Sequence, residues 1–95
     1  MNNHVIYRPI GADACLVPAS DIFDIKGILG TNRLRSCELR DGVILFYTPD
    51  YNQYNSSLNA LKIQNIYGDV VVAAIDTETV SVLPLTRREI RRYIK

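Results

Sequence analysis

Residues 33–48, RLRSCELRDGVILFYT, constrain the fold more than any other stretch, because an Asp-Gly pair divides two arms of strand-forming residues. Asp41-Gly42 suits a two-residue type I′ turn, in which both central positions take positive φ. That turn sets a register: Leu39 faces Ile44 and Cys37 faces Phe46, while Arg40, Glu38 and Ser36 face Val43, Leu45 and Tyr47. The second arm, VILFY, is apolar on both faces, which predicts a central strand covered on both sides. The first arm alternates imperfectly and is expected nearer a sheet edge.

Elements on either side follow from local signals. HVIYRPI (4–10) reads as a strand that Pro9 ends or confines to an edge. GADA turns the chain into CLVP (15–18), a second strand completing a hairpin. Ser20 opens a short helix, with Asp21 favouring its positive end and Ile22, Phe23, Ile25, Ile28 and Leu29 near one face. Gly30 is placed to close it in a left-handed conformation, and Gly27 weakens it slightly. Beyond Pro49, Ser57 is read as the cap of a second short helix, LNALKIQN, with Leu58, Leu61 and either Ile63 or Asn65 inward. Gly68-Asp69 turns into VVVAAI (70–75), DTET turns again, and VSVLP (80–84) alternates as a last strand. Thr86 and Glu89 form a Thr-x-x-Glu capping box, and Leu85 with Ile90 suits a hydrophobic staple, so a helix begins at Arg87.

The resulting order, ββα-ββα-ββα, predicts an α+β fold. It would be a mostly antiparallel sheet of five to six strands with two short helices and a C-terminal basic amphipathic helix. Without internal repeats or linker-like runs, the 95 residues read as one domain with one hydrophobic core.

Composition narrows the function classes. Hydrophobic residues are 47% of the chain and charged residues 22%, an ordinary globular balance, and no apolar run has the length of a membrane span. MNNHVIYRPIG lacks the basic and apolar regions of a signal peptide, so a cytoplasmic protein is expected. Cys15 and Cys37 lie in apolar strand-like runs and are read as small buried hydrophobes in a reducing compartment. A disulfide between them is the minor alternative, and a zinc site that adds His4 is less favoured still.

A catalytic constellation is not discernible. His4 is the single histidine, near a terminus expected to be loose, and neither cysteine carries a reactive-thiol motif. Asp13, Asp21, Asp24, Asp41, Asp50, Asp69 and Asp76 mostly fall at turns or caps, where carboxylates bond the backbone. There is no Gly-rich phosphate loop and no metal-ligand spacing, so neither cofactor nor metal is expected and the chain is read as non-catalytic.

Two stretches are candidate binding surfaces. The first is YTPDYNQYNSS (47–57), in which Tyr47, Asp50, Tyr51, Asn52, Tyr54 and Asn55, with Asn59 beyond, combine flat rings with amide donors and acceptors. Recognition loops use that mixture, although Asn, Asp, Pro and Ser also serve any turn and the tyrosines can fold back as a lid. The second is the last helix. At about 100° per residue, Arg87, Arg88, Arg91, Arg92 and Lys95 fall within an arc of about 140°, and Ile90, Tyr93 and Ile94 fall outside it. Residues 86–95 carry five bases against Glu89, a charge of +4, whereas residues 1–85 carry six bases against nine acids, a charge of −3. Arg87 and Arg88 stand at the positive end of the helix dipole, where cations are mildly unfavourable, so helix stability does not account for them. A phosphate backbone, an acidic partner, the protein's own acidic body or plain solvent could face these cations.

Residues 34–76 resemble a family of small bacteriophage- and mobile-element-encoded proteins of unknown function. The resemblance lies in the hairpin ending in VILFY, the polar loop, the Asn59-Ala60 pair, and Gly68-Asp69 leading into VVVAA. It implies a phage or plasmid setting. The expected function is therefore a non-catalytic binding protein that inhibits or modulates a host protein, a defence component among the candidates, or sequesters a small nucleotide-like ligand. A nucleic-acid-binding accessory protein using the C-terminal arginines, and a small structural homodimer, are the alternatives.

Overall fold

The computed structural model describes residues 3–50, 53–63 and 66–95, with Ser57 and Ala60 described by their backbone alone. Its centre is β5 (Val70–Asp76), whose six apolar residues are all buried. A strand reads as a continuous apolar run when both sheet faces above and below it are covered. Here the alternation divides the run between two cores. Val71, Ala73 and Ile75 join Val5, Phe46, Ile25 and Leu29 on one face. Val70 and Val72 join Ile6, Val43, Leu45, Leu58 and Tyr93 on the other.

β1 (Asn3–Arg8) and β2 (Cys15–Ala19) form the expected first hairpin, with Tyr7 opposite Cys15 and Asn3 opposite Ala19. β3 (Arg35–Arg40) and β4 (Val43–Tyr47) form the second. The sheet is antiparallel in the order β2-β1-β5-β4-β3, and β6 (Ser81–Leu83) pairs with β5 beyond the end of β1. β4 is thus an interior strand, covered on both sides, and β3 is an exposed edge.

α1 (Ile22–Leu29) covers the first core. Its N-cap is Asp21, whose side chain accepts from the backbone N–H groups of Phe23 and Asp24, and Gly30 closes it at φ 65°. Ser20, expected to open the helix, lies one residue outside. Ile25 and Leu29 are buried, but Phe23 is 72% exposed. At about 100° per residue it stands off the stripe that Ile22, Ile25 and Leu29 share. α2 (Arg87–Tyr93) has the capping box as read, with Thr86 accepting from the Glu89 N–H and Glu89 accepting from that of Thr86.

The ββα-ββα-ββα reading is overturned in the middle. Ser56–Leu61 is a short 3-10 helix flanked by Asn55 without a side-chain cap, so the order is ββα-ββ-ββα and the molecule is mostly sheet with two α-helices among the described residues. Asn55 cannot cap because its amide is turned inward, donating to the carbonyls of Arg8 (3.2 Å) and Gly68 (2.9 Å). Lys62 then stops the turn in a left-handed conformation, φ 59°. Leu58 is buried and Leu61 and Ile63 half-buried as expected, whereas Asn65 lies outside the described residues.

Three further expectations are corrected. Gly42 takes positive φ and Asp41 does not, so the turn is not type I′. The β3–β4 ladder accordingly shifts between Glu38 and Arg40: Arg40 still opposes Val43, but Glu38 opposes Ile44, Cys37 opposes Leu45 and Ser36 opposes Phe46. Leu39 is the extra residue of a β-bulge. Cys15 and Cys37 are exposed free thiols, because β2 and β3 are the two sheet edges. Four strand spacings separate those edges, roughly 19 Å, too far for a disulfide. His4 is ordered within β1, opposite Pro18, and exposed.

Candidate functional site

The 3-10 helix that follows the polar loop, and the basic helix, pack on the same side of the sheet. Tyr47, Leu58, Leu61 and Ile63 pack on the second core, and so do Leu85, Tyr93 and Ile94 from the other direction. The division of exposure is as read, with Ile90 and Ile94 half-buried, Tyr93 buried, and Arg87, Arg88, Arg91, Arg92 and Lys95 exposed, although the helix ends at Tyr93 and Lys95 lies two residues beyond it. No carboxylate lies within ion-pair distance of these five cations among the described residues, where Arg33–Asp50 at 2.8 Å is the ion pair found. The acidic body of the protein therefore makes no ion pair with them among the described residues.

Several of the loop's described polar groups are committed internally. Thr48, buried, donates to Asp50 and shares a hydrogen bond with Thr31, and Arg33 pairs with Asp50 from the outside. The Tyr54 hydroxyl donates to Asn59 Oδ1 at 2.6 Å, and the Tyr54 ring meets that of Tyr67 edge-on, centroids 5.8 Å apart. Asn55 is 1% exposed and pins the end of β1 to the approach of β5. Tyr47 is half-buried against the core, and Tyr51 and Asn52 lie outside the described residues. Of the loop residues read as ligand contacts, Asp50, Tyr54, Asn55 and Asn59 thus hold the loop in shape.

Where the sequence showed nothing, the fold makes a cleft. Between β3, the end of the 3-10 helix and the end of α2 lies an open depression of about 520 Å³. Leu39, Leu61, Ile63 and Tyr93 line it with apolar surface, and Lys62, Arg92, Lys95 and Glu38 supply its charges. Leu39 reaches this side through the bulge. In an uninterrupted ladder it would oppose Ile44, which packs on the first core, whereas it packs on the second beside Val43 and Leu45. A bulge re-aims a side chain in this way. The Arg92 guanidinium lies over the Tyr93 ring, 5.7 Å from its centroid, which holds one cation at the cleft.

No protein-family model, curated protein or solved structure matches this chain. Among the described residues, no group of three or more His, Cys, Asp or Glu is placed to hold a metal ion, and no helix is long and apolar enough to cross a membrane. Sequence reasoning found the arginine face from its periodicity. It missed Lys62, Leu39 and the cleft, because a lysine does not mark a left-handed stop and the bulge at Leu39 has no signature in residue type.

Proposed function

We propose that this protein is a non-catalytic binding module that engages an acidic surface of a partner protein through the exposed face of α2. The observation that carries this reading is the row Arg87, Arg88, Arg91, Arg92 and Lys95, exposed and without an ion-pair partner among the described residues. Desolvated cations at an interface favour a carboxylate-bearing partner and steer its approach. In the phage or mobile-element setting implied by the resemblance, that partner is a host protein in the bacterial cytoplasm, and binding inhibits or modulates it.

Two features favour a protein over nucleic acid or a nucleotide. The aromatic ring of the cleft, Tyr93, is buried under Arg92 and offers no open face for base stacking. The net charge of +1 is also small for a module that follows a phosphate backbone.

Native mass spectrometry tests this reading, on protein purified at low salt from a bacterial lysate, as wild type and as the Arg88→Ala, Arg91→Ala, Arg92→Ala triple variant. A protein mass on the wild type that is lost from the folded variant supports it. Heterogeneous nucleic acid whose affinity falls log-linearly with salt replaces it with the nucleic-acid reading. A second copy of the chain, retained by both proteins, replaces it with the homodimer.

A further inference from the structure

We infer that the cleft between β3, the 3-10 helix and α2 is an anchor pocket for a peptide segment in which an aliphatic or aromatic side chain is flanked by carboxylates. This rests on the protein-partner reading above and deepens it by naming what the partner inserts. Three cations, Lys62, Arg92 and Lys95, share the cleft with one acid, Glu38. Such an excess of one sign concentrates a ligand of the other, more so beside apolar walls. The walls are Leu39, Leu61 and Ile63, half-buried and open on one side. The volume, about 520 Å³, suits one or two inserted side chains with their backbone.

Two local departures from simple structure converge on this place. The β3 bulge turns Leu39 from the α1 side of the sheet to the cleft side. Lys62 holds a left-handed conformation at φ 59°, where glycine or asparagine is the usual occupant, and so carries an ammonium group on the rim at a cost of about 1 kcal/mol. Arg92 is already positioned by the Tyr93 ring, so binding need not order it. An aliphatic floor beneath a cationic rim matches neither a phosphate chain, which has no apolar part, nor a flat base, which needs an open ring. It matches an acidic amphipathic peptide.

The test is an array of short acidic peptides, each made with a central leucine or phenylalanine and again with serine there. They are probed with the wild type, Lys62→Asn, Leu39→Ser and the Arg87→Ala, Arg88→Ala pair. Lys62→Asn removes the charge and keeps a residue suited to the left-handed backbone, and urea unfolding verifies that each variant folds. Burial of one large apolar side chain predicts at least about tenfold tighter binding of the best leucine or phenylalanine peptides than of their serine partners. Lys62→Asn should weaken them several-fold, and Leu39→Ser should erase the preference for the apolar residue. Equal binding of apolar and serine peptides, lost in the Arg87 and Arg88 variant and untouched by Lys62→Asn, overturns the pocket and leaves the α2 reading standing. Failure of the whole array to bind, with a single-stranded oligonucleotide bound instead, overturns both.

Discussion

Arg8 and Tyr93 are joined by a buried hydrogen bond: Nη1 of Arg8, the last residue of β1, donates at 2.7 Å to the carbonyl of Tyr93, the last residue of α2. The residues are 85 positions apart and only 2% and 5% exposed. Carbonyls in a last helical turn lack intrahelical donors, and a cation there also meets the negative end of the helix dipole. This bond latches the basic helix to the sheet and so fixes the rim of the cleft.

Arg8→Met, which keeps the stem and removes the donor, should lower stability by about 2 to 3 kcal/mol, the worth of a charged hydrogen bond with its orphaned carbonyl. Urea unfolding measures the loss, and amide exchange over residues 87–94 should accelerate more than over β5. Burial lowers the Arg8 pKa because desolvation disfavours the charged form. A base with a lowered folded pKa makes stability rise with pH only near that pKa, where the unfolded chain holds more protons. The guanidinium starts so far above neutrality that the difference between wild type and variant should stay flat through the neutral range.

Asn55→Asp is nearly isosteric but cannot donate to the carbonyls of Arg8 and Gly68. With two buried acceptors orphaned, the expected loss is about 3 kcal/mol. A variant that kept full stability and lost only partner binding would return Asn55 to the recognition role that its residue type first suggested.

Val80 is β-branched yet sits at φ 58° in the turn from β5 to β6, 40% exposed. Its N–H donates to the Asp76 carbonyl at 2.7 Å, so the conformation is held by the turn itself. Relief of the left-handed strain predicts that Val80→Gly stabilises by about 1 kcal/mol, raising Tm by about 4 to 8 °C in a domain of this size. A lower Tm would show that the valine side chain contributes more than its backbone strain removes.

The two cysteines should both react rapidly with a thiol reagent in the native protein, since each is exposed. Labelling should reach two equivalents without denaturant, and oxidation should not link them within one chain. Protection of either thiol until unfolding would contradict the placement of β2 and β3 at the sheet edges.

Much of this molecule was readable residue by residue. Both hairpins, the Thr86–Glu89 capping box, the Gly30 helix stop and the continuous core strand of Val70 to Ile75 depend on contacts within a few positions, where propensity and periodicity act directly. The amphipathic division of α2, with four arginines on one side and Tyr93 on the other, followed from the 3.6-residue repeat alone. These signals survive in the fold because tertiary packing agrees with them.

What only the tertiary structure decided is which side of each element is covered, and by what. Cys15 and Cys37 sit in apolar runs but are exposed, because edge strands have one flank without a neighbour. Phe23 is apolar and solvated because the sheet beneath α1 accepts a narrower stripe. Asn55, indistinguishable in sequence from a ligand-binding asparagine, became a buried strut once the Arg8 and Gly68 carbonyls came within its reach. One inserted residue at Leu39 changed the face of a side chain, since strand periodicity is two and a single step reverses it. The cleft itself joins residues 38–39, 61–63, 92–93 and 95. Its parts are distant in the chain and unremarkable alone, so the site exists only where folding brings them together.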